Sequence, residues 1–131
     1  MKVVTKFAVI VAFATALFVS AASAQVNSRV VRAADDGSTI TVSIGTQLDC
    51  LLDAHTLTVN EWAVKSISTD AVTLSSEEHF EGDAVRPDGT FAAVYEGVFH
   101  AAHTGKSTIQ VVGLDANGKP ASTFTLTVIV Q

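Results

Sequence analysis

The segment Ser38–Leu52 reads STITVSIGTQLDCLL, and it contains two runs of alternating apolar and polar residues separated by Gly45. The apolar residues recur with a period of two and are Ile40, Val42, Ile44, Leu48, Cys50 and Leu52. Because successive side chains of a β-strand point to opposite faces, each run predicts a strand with one buried face. The glycine between the runs predicts a turn.

The same period of two continues along the rest of the chain. Further strands are predicted at Trp62–Val64, Val72–Leu74, Phe91–Ala101, Ser107–Leu114 and Ser122–Val130. No stretch has an apolar stripe of helical period and helical length. The polar, acidic segment Ser75–Gly89 is predicted to be a long exposed connection, and Asn117-Gly118 is predicted to be a turn.

Seven or eight short strands with turn residues between them are typical of an antiparallel sandwich. Cys50 and Trp62 have the relative positions of the core strand residue and the tryptophan of an immunoglobulin-like domain. The chain has one cysteine, which excludes an intrachain disulfide, and Ile109 or Val111 stands where the second cysteine would be. We therefore predict an all-β, immunoglobulin-like antiparallel β-sandwich without a disulfide, in which Cys50 is a buried, inert thiol.

The first 24 residues have the three parts of a secretory signal. Lys2 and Lys6 form a positive region, Phe7–Val19 is a 13-residue apolar run, and Ala22-Ser23-Ala24 supplies the small residues of a cleavage site. The apolar run is shorter than the ~20 residues of a membrane-spanning helix. We expect cleavage before Gln25 and a secreted or periplasmic protein that has no membrane partner afterwards.

The composition of the remaining chain, residues 25–131, is that of one folded domain. The whole chain is 48% hydrophobic and 16% charged, which excludes a disordered protein. After removal of the signal, six basic and thirteen acidic residues remain, a formal charge of −7 that argues against nucleic acid as a partner. We expect a monomer, although self-pairing stays open if Ser122–Val130 is an exposed edge strand.

Three stretches of the mature chain are similar to one known family. Ser38–Leu52 is similar to that family's opening pair of strands, and Trp62 lies where a family tryptophan begins the strand after the first inhibitory loop. Val94–Val111 (VYEGVFHAAHTGKSTIQV) is similar to the strand, Ala-Ala turn, glycine and strand near the family's C-terminal part. In these features the chain resembles the chagasin family of cysteine-peptidase inhibitors, which are secreted or vesicular immunoglobulin-like domains.

The resemblance implies a secreted inhibitor that wedges three loops, all at one end of the sandwich, into the active-site cleft of a papain-like cysteine peptidase. The implied wedge is formed by His55, Thr56, Leu57, Thr58 and Val59. The implied supporting contacts are Arg86, Pro87, Asp88 and Gly89 on one side, and Ala116, Asn117, Gly118 and Lys119 on the other. The loop motifs of the family are not retained. The first loop has HTLTVN in place of Asn-Pro-Thr-Thr-Gly, the second has RPDGT in place of Gly-x-Gly-Gly, and the third has DANGK in place of Arg-Pro-aromatic.

Two interpretations of these loops remain open from the residues themselves. Arg86–Gly89 and Asn117-Gly118 have ordinary turn chemistry that needs no partner. His55–Asn60 is either a contact surface or the start of a strand that faces the core. The alternative function is therefore a non-enzymatic immunoglobulin-like binding or structural module, which would use a sheet face or edge.

Catalytic and metal-binding patterns are poorly represented. His100 and His103 are three residues apart, which on a strand places them on opposite faces. The acidic run Glu77–Asp83 is typical of a solvated surface. The sequence has no phosphate-binding glycine loop, nucleophile elbow or His-Glu-x-x-His. We predict a protein that is not an enzyme and that needs no cofactor or metal.

Overall fold

The computed structural model describes residues 27–131, so the predicted signal Met1–Ala24 lies outside the described residues. The elements, in chain order, are β1 (Ser28–Arg32), a 3₁₀ turn (Ala33–Asp35), β2 (Thr39–Val42), β3 (Gln47–Ala54), β4 (Glu61–Ile67), β5 (Val72–Val85), β6 (Phe91–Ala101), β7 (Gly105–Leu114) and β8 (Pro120–Val130). Within this part of the chain no helix is long and apolar enough to cross a membrane.

The eight strands form two four-stranded sheets. Sheet A has the order β1-β3-β6-β5, and sheet B has the order β2-β8-β7-β4. The prediction of an all-β sandwich without a disulfide is confirmed. Two of the pairings, β1 with β3 and β2 with β8, are parallel. β1 runs in the same direction as β3, the chain reverses through the 3₁₀ turn, and β2 then runs back along β8 in the other sheet.

The core lies between the two sheets and is built from the residues that alternate inward on each strand. It includes Leu48, Cys50 and Leu52 of β3, Tyr95 and Phe99 of β6, Ile109 and Val111 of β7, and Phe124, Leu126, Val128 and Val130 of β8. Each large apolar side chain buried in this way contributes roughly 1.5–3 kcal/mol. Cys50 is 3% exposed, and burial raises the pKa of its thiol to about 12. The prediction of a buried thiol at this position is confirmed.

The prediction of a long connection over Ser75–Gly89 is wrong. Most of this segment belongs to β5, a strand of 14 residues, and only residues 86–90 connect it to β6. Every side chain of β5 after Val72 is exposed, so the strand has no apolar alternation that the sequence could reveal. Its backbone pairing with β6 makes it a strand, with register shifts between Leu74 and Ser76 and between Glu81 and Val85.

The expectation that Ser122–Val130 offers an exposed edge is also corrected. This segment lies in β8, which pairs with β7 on one side and with β2 on the other. The strands at the edges of the two sheets are β1, β5, β2 and β4. The last strand of the chain therefore holds sheet B together from its interior.

Side chains of β5 cover part of the edge of β4. The Trp62 backbone N–H donates to His79 Nε2 at 3.2 Å, and the Val64 backbone N–H donates to Glu77 Oε2 at 3.3 Å. The Tyr95 hydroxyl, which is inside the sandwich, also donates to Glu77 Oε2 at 3.3 Å. These contacts join the two sheets at this side and satisfy edge N–H groups that could otherwise pair with another strand.

Candidate functional site

Three connecting segments lie together at one end of the sandwich because of the strand register. Loop A (residues 55–60) joins β3 to β4, loop B (residues 86–90) joins β5 to β6, and loop C (residues 115–119) joins β7 to β8. The last residue of β3, Ala54, pairs with Ala93 near the start of β6, which places loop A beside loop B. The first residue of β4, Glu61, pairs with Leu114 at the end of β7, which places loop A beside loop C.

Loop A is held by its own hydrogen bonds. The His55 N–H donates to the Asn60 carbonyl at 3.0 Å, and the Thr56 N–H donates to the Val59 carbonyl at 2.8 Å. The Thr56 hydroxyl accepts the Val59 N–H at 2.9 Å and donates to the Val59 carbonyl at 3.1 Å. His55 has a φ of 54°, which places it in the left-handed region. The loop therefore has a defined shape before it meets a partner.

The side chains of loop A divide between the core and the solvent. Leu57 is 76% exposed at the tip, and Thr58 beside it is also exposed. Val59 is 5% exposed and faces inward, so it supports the loop from below and is not available as a contact. His55 and Thr56 are half-buried. The core-facing interpretation therefore holds for Val59, and Leu57 and Thr58 are the exposed residues on which the interpretation as a contact surface depends.

Arg86 joins loop B to loop A. Its Nη1 donates to the carbonyls of His55 at 3.1 Å and Phe91 at 2.9 Å, and to Thr90 Oγ1 at 3.2 Å. Its Nη2 donates to the carbonyls of Ala54 at 2.8 Å and Ala93 at 3.0 Å. Because the guanidinium is turned into the protein, Arg86 positions both loops and does not present its charge as a contact.

Loops B and C have the same hairpin geometry. In loop B the Gly89 N–H donates to the Arg86 carbonyl at 2.9 Å, and in loop C the Gly118 N–H donates to the Asp115 carbonyl at 2.9 Å. Gly89 and Gly118 have φ values of 89° and 81°, a left-handed conformation that glycine adopts without strain. Both loops are therefore three-residue hairpin connections of the type that ends in a left-handed glycine.

Side-chain hydrogen bonds hold these two turns closed. The Asp115 carboxylate accepts the backbone N–H groups of Asn117 and Lys119, each at 2.9 Å. Asp88 accepts the Thr90 hydroxyl at 2.6 Å and the Thr90 N–H at 2.9 Å. These hydrogen bonds, together with the nearby Arg86 charge, lower the pKa of Asp88 below its ordinary value. The exposed residues at the tips are Pro87, Asp88, Gly89, Ala116, Asn117, Gly118 and Lys119.

Two exposed apolar residues at this end were missed from the sequence. Val85 and Phe91 form a cross-strand pair at the base of loop B, and they are 59% and 61% exposed. Val85 lies in the segment predicted to be a connection, and Phe91 lies in a segment predicted to be a strand with one buried face. The sequence around these two residues therefore gives no sign that the β5–β6 hairpin extends beyond the core. With Leu57 they give the loop end three exposed apolar side chains.

A recess of about 240 Å³ opens beside loops A and C. We call it the Trp62 recess. It is lined by Ala33, Asp36, Leu52, Asp53, Thr56, Val59, Trp62, Ser122, Thr123 and Phe124. The indole N–H of Trp62 donates to the Asp53 carbonyl of β3 at 2.9 Å, so the ring bridges from sheet B to sheet A. Trp62 is half-buried and packs against the core rather than within it.

The two histidines spaced three residues apart in the sequence belong to no metal-binding cluster in the described part of the chain. His100 is exposed on β6, and His103 is exposed in the turn that follows it. Among residues 27–131 no group of three or more histidine, cysteine, aspartate or glutamate side chains is placed to hold a metal ion.

The fold of this chain, a sandwich of two four-stranded sheets, resembles that of chagasin-like cysteine protease inhibitors, and the predicted resemblance in fold is confirmed. The cysteine protease inhibitor EhICP2 from Entamoeba histolytica is 17% identical to this chain, with a TM-score of 0.64 over 82% of this chain and 98% of that protein. Amebosin is 21% identical, with a TM-score of 0.64 over 82% of this chain and 100% of that protein. No family model matches the chain, and no curated protein matches it. At these identities the likeness establishes the fold.

Proposed function

We propose that the protein is an exported inhibitor of papain-like cysteine peptidases that blocks the active-site cleft with loops A, B and C. The observation that carries this proposal is the convergence of the three loops at one end, with Leu57 exposed at the tip of loop A. The likeness in fold to a cysteine protease inhibitor supports an inhibitor role. The signal-like sequence of residues 1–24 supports export.

The proposed mechanism is physical occlusion of the cleft. Loop A would enter the cleft with Leu57 as its apolar contact, and loops B and C would contact the two sides. Arg86 and the hydrogen bonds within each loop hold the surface in shape before binding. A preformed surface loses little conformational entropy on association, so a small contact can bind tightly. The hydrogen bonds of Thr56 would also resist the opening of loop A that cleavage requires.

The test is a titration of residues 25–131 against papain and a cathepsin-L-like peptidase, with residual activity as the readout. We expect inhibition with a one-to-one endpoint. The double variant Leu57→Glu/Thr58→Lys should lose at least about 100-fold in affinity, because an apolar contact is replaced by charges that must be desolvated. Its melting temperature should stay within a few degrees of the wild type, because both side chains are exposed.

The matched control is Ile44→Glu. Ile44 is a 51% exposed apolar residue in the β2–β3 turn, at the opposite end of the sandwich from the loops. This variant should inhibit like the wild type. An intact protein that leaves both peptidases fully active at micromolar concentration would refute the proposed function.

One observation favours the alternative, a binding module without a peptidase partner. Phe80 is 50% exposed on β5, where its cross-strand partner is Val94, at the level of Asp53 on β3, and its side chain lies on the outer face of sheet A rather than in the loops. A module of that kind would bind through this face. The substitution Phe80→Ser would then abolish binding to its partner, whereas it should leave peptidase inhibition unchanged.

A further inference from the structure

The Trp62 recess exists because two strands run past their neighbours near the loop end. The pairing of β1 with β3 stops at Arg32 and Leu51, whereas β3 continues to Ala54. The pairing of β2 with β8 starts at Thr39 and Thr127, whereas β8 begins at Pro120. The chain crosses between the sheets at this level, and the space that it leaves open is the recess.

The lining of the recess combines apolar walls with negative charge. Leu52, Val59 and Phe124 are buried residues of the lining, and the Trp62 ring is half-buried beside them. Asp36 and Asp53, both exposed, are among the lining residues, and no lining residue is basic. Leu52 faces inward on β3, so the Asp53 side chain lies on the outer side of the strand, next to the backbone carbonyl that accepts the Trp62 indole N–H.

The carboxylate of Asp36 is oriented by the backbone of β8. Its Oδ1 accepts the Thr125 N–H at 2.8 Å, and the adjacent Gly37 N–H donates to the Thr125 carbonyl at 2.8 Å. These two bonds hold Asp36 at the mouth of the recess. Because Oδ1 already has a protein donor, Oδ2 is the oxygen left to accept a hydrogen bond from a ligand.

An aromatic ring, apolar walls, the Asp36 carboxylate at the mouth and a second acidic residue, Asp53, in the lining together match one class of ligand, a cation on an aliphatic stem. The stem of arginine or lysine packs against apolar surface while its charged end stays near water and carboxylates. A cation over a tryptophan face is stabilised further by the ring quadrupole. The volume of about 240 Å³ is smaller than the ~300–1,000 Å³ of pockets for drug-sized molecules, and therefore suits a single side chain.

We propose that the Trp62 recess receives an arginine or lysine side chain from the surface of the bound peptidase. This inference rests on the proposed function, because Thr56 and Val59 of loop A form one wall and Ser122, just after loop C, lies on another. A protein that places loop A in its cleft would cover the mouth of the recess with the surface beside that cleft. The acidic excess of the chain complements a basic side chain at that position.

The first experiment examines the recess without any peptidase. Trp62 is the only tryptophan, so its fluorescence reports on the recess directly. The protein is titrated with Nα-acetyl-arginine methylamide and, as a neutral control of the same shape, Nα-acetyl-citrulline methylamide. We expect a saturable change with the arginine compound in the millimolar range and none with the citrulline compound. Absence of a saturable change with the arginine compound would overturn the proposal.

The second experiment uses the double variant Asp36→Asn/Asp53→Asn with the peptidase that the wild type inhibits. Asparagine keeps the acceptor for the Thr125 N–H, so the fold should be retained. We expect inhibition to weaken roughly tenfold, by less at high salt, and the arginine titration to weaken in parallel. The control Asp70→Asn/Glu78→Gln removes the same charge from exposed sites outside the recess and should inhibit like the wild type.

The outcomes separate the two proposals. If the wild type inhibits but the Asp36/Asp53 variant inhibits equally well, the peptidase side chain does not occupy the recess, and this inference is overturned while the proposed function stands. If the control variant weakens inhibition as much, the effect is one of overall charge, which also overturns the inference. If the wild type inhibits neither peptidase, the proposed function fails, and the fluorescence titration still decides whether the recess binds cations.

Discussion

Replacing Arg86 by methionine should both destabilise the protein and loosen the candidate surface. Methionine keeps an unbranched stem but removes all the donors that contact loop A, loop B and the start of β6. The guanidinium contacts one hydroxyl and the carbonyls of four residues: His55, Ala54, Phe91 and Ala93. No other interaction in the loop end connects as many separate backbone segments.

The magnitude follows from the geometry. Nη1 has two hydrogens for three acceptors, and Nη2 has two hydrogens for two acceptors, so the substitution removes about four hydrogen bonds. A hydrogen bond to a charged group contributes roughly 1.5–3 kcal/mol. Arg86 is half-buried at a loop end, and water can reach the released carbonyls, so the net loss is well below the sum. We expect a loss of about 2–4 kcal/mol in the free energy of unfolding, or roughly 8–20 °C in melting temperature.

The assay is urea denaturation followed by Trp62 fluorescence, with thermal melting by circular dichroism as a second measurement. Arg86→Lys should lie between the wild type and the methionine variant, because an ammonium group cannot span the same acceptors. Arg29→Met, at an exposed position of β1, is the matched control and should stay within ~0.5 kcal/mol of the wild type. An Arg86→Met protein as stable as that control would refute the positioning role of Arg86.

Three further predictions concern single residues. Gly113→Ala should cost about 1–3 kcal/mol in urea denaturation, because the new Cβ would lie 2.9 Å from both methyl groups of Val59 beneath loop A. The pKa of Glu96 is raised, first by a hydrogen bond with Asp49. The protonated Glu96 carboxyl therefore stabilises the folded protein at acid pH, and this stabilisation is lost as the pH rises through the folded-state pKa. Glu96→Gln should be more stable than the wild type at neutral pH by about a few tenths of a kcal/mol, and this difference should shrink on acidification. Cys50, whose pKa is raised to about 12, should not react with a thiol reagent at neutral pH until the protein is unfolded in urea.

The first two of these predictions have matched control variants, and the third has a result that would contradict it. Gly82→Ala adds a Cβ at an ordinary contact distance, 3.5 Å from the Ala92 carbonyl oxygen, and should be nearly neutral. Glu61→Gln changes the same charge at an exposed position of β4 and should not reproduce the pH-dependent gain. Rapid labelling of Cys50 in the native protein would show that the sheets open around it.

The central strands could be predicted from the sequence because one of their faces is buried. In β3 the alternation of Leu48, Cys50 and Leu52 follows directly from the pleat of a strand that packs on a core. The same reasoning located β7 and β8. It failed for β5, whose side chains are exposed beyond Val72 and whose extended backbone is held by pairing with β6.

The candidate site was predictable in its segments but not in its details. Turn chemistry located loops B and C, since Gly89 and Gly118 each follow polar turn residues in sequences that favour a left-handed glycine. The inward position of Val59 and the inward turn of the Arg86 side chain depend on neighbours that are distant in sequence. An isolated valine or arginine in a polar segment gives no sign of either arrangement.

The sequence by itself determined two properties of this protein: the strands whose apolar residues recur with a period of two, and the absence of an intrachain disulfide, since the chain has one cysteine. Strand periodicity depends on residues that are close in sequence, and the number of cysteines is a simple count, so both can be obtained without knowing which segments pack together. Only the tertiary structure decided which ends of the strands meet, because strand register is set by packing between distant segments. That register brings loops A, B and C together, and the crossover between the sheets places Asp36 of one segment beside Asp53 and Trp62 of others.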